Sequence, residues 1–206
     1  MDARPQVSTV RGYDFFEVSS AFQKSIRRGE EEDALYWAVE LDLSGRAQYV
    51  WKRMLVMVSE DIGLAEPHLP ATIRALHQTW LDFKAKNDKH KPERLQFIHA
   101  VLLLARAKKS RIVDHAICVA YGGGLEERDI PDYALDKHTR RGKRMGRGFD
   151  HFFKECIKLE NEPDDLPDEY EEDARYIYTH PDEFEAPAST STRKKRRTGP
   201  TLYGDD

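Results

Sequence analysis

Apolar residues recur at three- and four-residue spacing from position 13 to about 121 and become sparse beyond it. Asp14 followed by Glu17 makes a capping-box pattern, with Phe15, Val18, Phe22 and Ile26 on one helical face and Gly29 as the stop. A second helix is predicted over 30–43, its acidic start suiting the positive end of the helix dipole, with Leu35, Ala38 and Leu41 on one face, Trp37 beside them and Gly45 after it. A third is predicted over 46–61 on Val50, Met54, Met57 and Val58. Pro67 and Pro70 frame the next connection. Helices then follow over 71–86 (Ile73, Leu76, Trp80, Phe83), from Pro92 to about Ala105 (Leu95, Ile98, Leu102), and over 110–121 with Val113, Ile117 and Ala120 inward. Gly122-Gly123-Gly124 ends the last of these. No stretch alternates in the manner of a half-buried strand.

The predicted fold class is therefore all-α: a bundle of about six helices in antiparallel hairpins, joined by the short connections usual in such bundles. The expected organisation is an N-terminal arm (1–12), a helical assembly domain (13–124), a basic, glycine-containing extension with a short helix over 151–159 (125–160), and a disordered tail, acidic then basic, with a turn or two around 174–178 (161–206).

Charge changes the picture because it is segregated. The net charge of −4 hides six Lys or Arg without an acid over 137–147, nine Asp or Glu without a base over 160–173, and five consecutive basic residues over 193–197. Lys137, Arg140, Arg141, Lys143, Arg144 and Arg147, with Phe149 and Phe152 close behind, are the candidate nucleic-acid contacts, since cations beside aromatic rings suit phosphates and stacked bases. The alternative is a solvated loop that pairs with the acidic block. Residues 193–197 read either as a source of salt-sensitive, sequence-blind affinity for nucleic acid or as a solubilising tail.

Two cysteines make no disulfide framework, and both read as free thiols, Cys118 buried on an apolar stripe and Cys156 more exposed. The eight histidines show no metal-ligand spacing, so neither metal nor other cofactor is expected. The N-terminus lacks an apolar signal segment and no apolar run approaches the length that spans a bilayer, so the expectation is a cytoplasmic protein without membrane contact. Adjacent Glu60 and Asp61 point about 100° apart on a helix and do not converge on one substrate atom; they are expected to shape the helix end and bond an arginine such as Arg53. The aromatic set reads first as core, but Tyr49 and Trp51, two apart, point to different faces, so one of them is expected to be exposed or to meet another chain; Trp37, Tyr49, Trp51 and Trp80 are the candidate interface residues.

Four motifs carry a resemblance. In order they are Lys24-Ser25-Ile26-Arg27, Ala34-Leu35-Tyr36-Trp37, the nine residues Ser59-Glu60-Asp61-Ile62-Gly63-Leu64-Ala65-Glu66-Pro67, and the stretch from Leu103-Leu104-Ala105-Arg106 through Lys108-Lys109-Ser110. Together they resemble the C-terminal region of the AAA+ ATPases of the replication-associated recombination family, also called the maintenance-of-genome-stability family, which includes relatives of Werner-helicase-interacting protein. The likeness covers about 14–121 and extends more weakly through Ile130-Pro131 and Gly146-Arg147-Gly148-Phe149 to about 152. The family's ATPase domain is not matched: there is no G-x-x-x-x-G-K-[ST], and Gly122-Gly123-Gly124 closes a helix where a phosphate loop opens one.

The resemblance thus implies a non-enzymatic module for oligomerisation and partner binding in DNA replication, repair and recombination. The partners it implies are further copies of itself (a tetramer in the family), a separate chain supplying ATPase activity, single-stranded-DNA-binding protein and DNA, with the nucleoid as the place of action. The alternative is a nucleic-acid-binding accessory protein working through 137–152 and the basic tail.

Overall fold

The computed structural model of the chain describes residues 7–183. Among these residues helices form the whole architecture, and the sole extended pairing is an isolated bridge between Ser8 and Asp14. The chain divides into two compact units, Met1–Glu126 and Glu127–Asp206.

The first unit holds α1 (Phe15–Arg28), α2 (Glu31–Leu43), α3 (Ala47–Met57), α4 (Leu69–Lys86), α5 (Glu93–Arg106) and α6 (Ile112–Tyr121). The predicted cap is present: the Asp14 carboxylate accepts from the Phe16 and Glu17 amides at 2.8 and 3.0 Å. α1 packs on α2, α2 on α5 and α4 on α5, while α3 meets both α4 and α5. Phe22, Ile26, Leu41, Trp51, Met54 and Leu104 are fully buried between them. Their spacing follows the apolar stripes of the sequence, because each stripe is the face that leaves water.

Two elements depart from expectation. The third helix was predicted to run to Asp61; instead the α-helix ends at Met57, Val58–Ile62 widens into a π-turn, and Gly63–Ala65 makes a 3-10 turn. The added residue in that turn rotates Asp61 inward, where it is fully buried. Gly63 makes the exit, at φ 47° and ψ −118°, and a Cβ there would lie 2.9 Å from Val113 Cγ2.

The described part of the expected arm, 7–12, is pinned to the first unit. The Phe15 amide donates to the Val7 carbonyl at 2.8 Å, the Val10 amide to Ser44 Oγ at 3.0 Å, and the Arg11 amide to Glu40 Oε1 at 3.0 Å. Arg11 also ion-pairs with Glu40, which is itself fully buried. Burial pushes that carboxyl up, but hydrogen bonds from Thr9 and from the Arg11 amide and guanidinium outweigh it and hold it below the ordinary range.

The second unit contains a 3-10 turn (Asp132–Ala134), α7 (Arg140–Arg144), α8 (Phe149–His151) running into a π-turn (Phe152–Cys156), and α9 (Glu171–Thr179). The expected 151–159 helix is thus shorter and begins earlier. The turn or two expected around 174–178 is present as α9, longer than expected; Glu171, Glu172 and Asp173 stabilise its first turn. The expectations for 184–206, including the basic run 193–197, lie outside the described residues.

Candidate functional site

Arg27 from the end of α1, Glu60 and Asp61 from the π-turn, and Arg111 from the start of α6 meet in one charged joint. Asp61 Oδ1 accepts from Arg27 Nε at 2.7 Å and from Arg111 Nη1 at 2.7 Å, and Asp61 Oδ2 accepts from Arg27 Nη2 at 3.3 Å. Glu60 Oε1 accepts from Arg27 Nη2 at 3.1 Å, and Arg111 also pairs with Asp114. The main chain joins in: the Ser110 amide donates to the Asp61 carbonyl at 2.9 Å. Beside it, Lys109 Nζ donates to the carbonyls of Leu104, Ala105 and Ala107 at 2.7, 3.0 and 2.7 Å, covering the open end of α5. Burial lowers the pKa of that ammonium, partly opposed by Asp61 and Glu66.

A buried carboxylate shared by two guanidinia is a clamp. Its lone pairs are already engaged, and removing either partner leaves a desolvated charge. The partner predicted from sequence, Arg53, sits elsewhere and donates to Gln23 Oε1 at 2.6 Å. The π-turn is the reason: it turns Asp61 toward α1 and α6.

The joint holds α6. This helix was expected to bury Val113, Ile117 and Ala120, yet none of its residues is buried, and Cys118, expected inside, is exposed. Asp114 and His115 are its only ionisable residues besides the thiol and Tyr121. Ile112, Ile117, Val119 and Tyr121 are 60, 54, 51 and 88% exposed. A groove of about 290 Å³ runs between Leu55, Val56 and Glu60 on one side and Val113, Asp114 and Ile117 on the other.

In the second unit the six basic candidates divide. Arg147 donates to the carbonyls of Asp132 and Leu135 at 2.6 and 2.8 Å and pairs with the Asp132 carboxylate, so it is a structural brace. Lys137 lies over the Phe149 ring, 3.2 Å from its centre. Arg140, Arg141, Lys143 and Arg144 are exposed on α7, and none forms an ion pair among the described residues. The Thr139 hydroxyl caps α7, accepting from the Gly142 amide at 3.0 Å. Gly142 is buried against the chain, where a Cβ would fall 1.8 Å from the Asp136 carbonyl oxygen. The alternative pairing of 137–147 with the acidic block does not occur among the described residues: 160–173 are exposed and form no ion pair with it.

A family model described as MgsA AAA+ ATPase C terminal matches residues 29–196. The chain belongs to this family. Replication-associated recombination protein A of Bacillus subtilis (strain 168) is 31% identical over 140 residues, 66% of this chain and 32% of that protein. The protein of the same name from Haemophilus influenzae is 30% identical over 148 residues, 68% of this chain and 31% of that protein. ATPase WRNIP1 of Dictyostelium discoideum is 31% identical over 151 residues, 71% of this chain and 16% of that protein. The chain spans about a third or less of the length of these curated relatives. It corresponds to the C-terminal region of AAA+ ATPases and not to their ATPase domain.

In this MgsA C-terminal chain three of the quoted motifs meet at or beside the joint, and the second lies in the core. Arg27 closes the first, Ala34 of the second is fully buried in the core, the third makes the π-turn, and the fourth supplies Lys109. The aromatic candidates are corrected in part. Trp51 and Trp80 are 0 and 2% exposed, packed against His77 and Phe97 inside this chain, and present no surface to another. Trp37 is half-buried edge-on against Tyr13, and Tyr49 donates or accepts at Ser19 Oγ at 2.6 Å with its ring on Phe15. Among the described residues no group of three or more His, Cys, Asp or Glu converges on a metal position, and no helix is long and apolar enough to cross a membrane. Sequence reasoning missed Arg111 and Lys109. Their one signal was position: both directly follow the apolar run of α5, where a helix end needs donors.

Proposed function

We propose that this chain is a non-catalytic assembly module for DNA replication, repair and recombination, working in the cytoplasm at the nucleoid beside an AAA+ motor carried elsewhere. It self-associates, with a tetramer as the expected form, and docks a separate ATPase subunit or single-stranded-DNA-binding protein. The observation that supports this best is the joint: the family's signature carboxylates are spent on holding an outward-facing apolar helix in place. Groups used this way build a surface for other proteins. Multi-angle light scattering of the full chain at tens of micromolar is the test. The expected mass is a multiple of the 23.9 kDa chain; a single-chain mass throughout overturns the reading.

A second reading rests on α7. Arg140, Arg141, Lys143 and Arg144 face solvent without an acidic partner among the described residues, the arrangement that releases counterions from a phosphate backbone. Binding of a fluorescent single-stranded oligonucleotide is expected to weaken steeply with salt. Replacing all four by alanine should flatten the log–log salt slope by about 3, at roughly 0.7 per phosphate contact. An unchanged slope removes α7 from nucleic-acid binding and leaves the assembly reading intact.

A further inference from the structure

α7 has one side without a cation, and that is the side it buries. At about 100° per residue, Arg140, Arg141, Lys143 and Arg144 fall within an arc of about 160°, and Gly142 lies at the middle of the arc they leave. Gly142 is buried and the four cations are exposed. The helix sits there directly on the preceding turn: a Cβ on Gly142 would fall 1.8 Å from the Asp136 carbonyl oxygen and 2.8 Å from that of Leu135. Only glycine lets the two backbones approach so closely.

A short chain of bonds holds this seat. The Thr139 hydroxyl donates to the Asp136 carbonyl at 3.0 Å and accepts from the Gly142 amide at 3.0 Å. The Arg147 amide donates to the Gly142 carbonyl at 3.0 Å. The Arg147 guanidinium reaches back to the carbonyls of Asp132 and Leu135 and to the Asp132 carboxylate. Arg147 thus ties the end of α7 to the turn beneath it, and its side chain is only 14% exposed.

We infer that Gly142 and Arg147 are positioning residues of a nucleic-acid site: they turn all four exposed cations of α7 toward one phosphate backbone and contact no phosphate themselves. The inference rests on the nucleic-acid reading of α7 and adds how that face is built. The face itself favours nucleic acid over protein. No apolar side chain stands among the four cations of α7, whereas the centre of a protein interface is depleted of charge. A phosphate backbone requires only cations held in register.

The test follows the salt dependence with which the full chain binds a fluorescein-labelled oligothymidylate. Gly142→Ala removes no charge, yet it is expected to flatten the log–log slope by about 1.4, the loss of two phosphate contacts at roughly 0.7 each. Arg147→Lys also keeps the charge, but a compact ammonium cannot span two carbonyls and a carboxylate as the guanidinium fork does, so the same flattening is expected. A group that merely stabilises the unit would move the melting temperature and leave the slope alone. Thr139→Val, which removes only the cap hydroxyl, should flatten the slope by about 0.7, one contact, and Thr139→Ser should match the wild type. That pair decides if amide exchange shows 132–147 unfolded in Gly142→Ala. Wild-type slopes in Gly142→Ala, Arg147→Lys and Thr139→Val overturn the positioning roles and leave α7 as the binding face. A wild-type chain that does not bind the oligonucleotide, or a fourfold alanine variant that keeps the wild-type slope, overturns the α7 reading itself. Tighter binding of polyglutamate than of the oligonucleotide gives the face to an acidic protein and overturns the nucleic-acid assignment.

Discussion

α5 and α6 follow one another in the chain and both are rich in apolar residues, but they end in opposite environments. α5 buries Phe97, Ala100, Val101, Leu104 and Ala105; α6 buries nothing. Apolar content therefore does not decide which helix joins the core. The connection between them does. Over 107–111 the chain ties Lys109 to the end of α5 and Arg111 to Asp61, and this turns α6 out onto the π-turn. The difference separates apolar surface that folds the first unit from apolar surface that the unit leaves facing outward.

The largest effect is expected where the two helices are joined. Asp61→Ala leaves the Arg27 and Arg111 guanidinia without their shared carboxylate, and breaking a buried pair by removing one partner costs about 4 kcal/mol. Urea unfolding should show the midpoint falling by a corresponding amount. A shift no larger than that of an exposed carboxylate, such as Glu32→Ala, would mean that the joint is an ornament of the fold.

Next comes the helix comparison itself. Leu104→Ala in α5 removes a fully buried side chain and should cost about 3 kcal/mol of chain stability. Ile117→Ala in α6 should change the unfolding of the dissociated chain by less than about 0.5 kcal/mol, as exposed substitutions do. Chemical denaturation at a concentration low enough to dissociate the protein reads both. Equal losses at the two sites would erase the distinction between the buried helix and the exposed one.

How much of this was open to inspection beforehand follows from the range of each force. The helices of the first unit were legible because burial imposes a 3.6-residue period that sequence displays directly, as at Val18, Phe22 and Ile26. The capping of α1 by Asp14 was legible because it is local. What failed was long-range. Nothing within one turn of Asp61 tells that its partners are Arg27 and Arg111, 34 and 50 residues away. Periodicity could give α6 an apolar face, but not whether this chain's own core has room for it. Likewise the six cations of 137–147 look alike in sequence; folding consumes Arg147 in carbonyl bonds, lays Lys137 on Phe149 and leaves the four on α7 exposed, without an ion pair among the described residues.

A smaller effect is expected at the exit from the π-turn. Gly63→Ala forces an L residue to φ 47°, ψ −118° and brings its methyl against Val113 of α6. Strain of that kind costs about 2 kcal/mol. It should also displace α6 from its mounting, so assembly, followed by light scattering, should weaken while the helical content read by circular dichroism remains.

The smallest effect concerns pH and compares the core with itself. His77 is 5% exposed, packed against Trp51 and Trp80 with ring centres at 4.9 and 6.0 Å, and neither ring nitrogen has a hydrogen-bond partner among the described residues. Burial, aided by the nearby Arg74 charge, lowers its pKa. For a base the sign is then fixed: between the unfolded value of about 6.5 and the lower folded value, the unfolded chain takes up the proton and the folded chain does not, so stability falls as pH falls through that window. Glu40 acts in the same direction but lower: its depressed pKa contributes stability present above the unfolded carboxyl value, about 4.3, and lost on further acidification. The two are separable by range. Melting temperatures of the wild type should decline already between pH 7 and about 5.5, and His77→Phe, which keeps a ring against both indoles, should remove that decline while leaving the steeper loss near pH 4. A wild-type curve flat down to pH 5 would show that the ring sheds its burial penalty by finding water, and that this aromatic stack is less closed than the rest of the core.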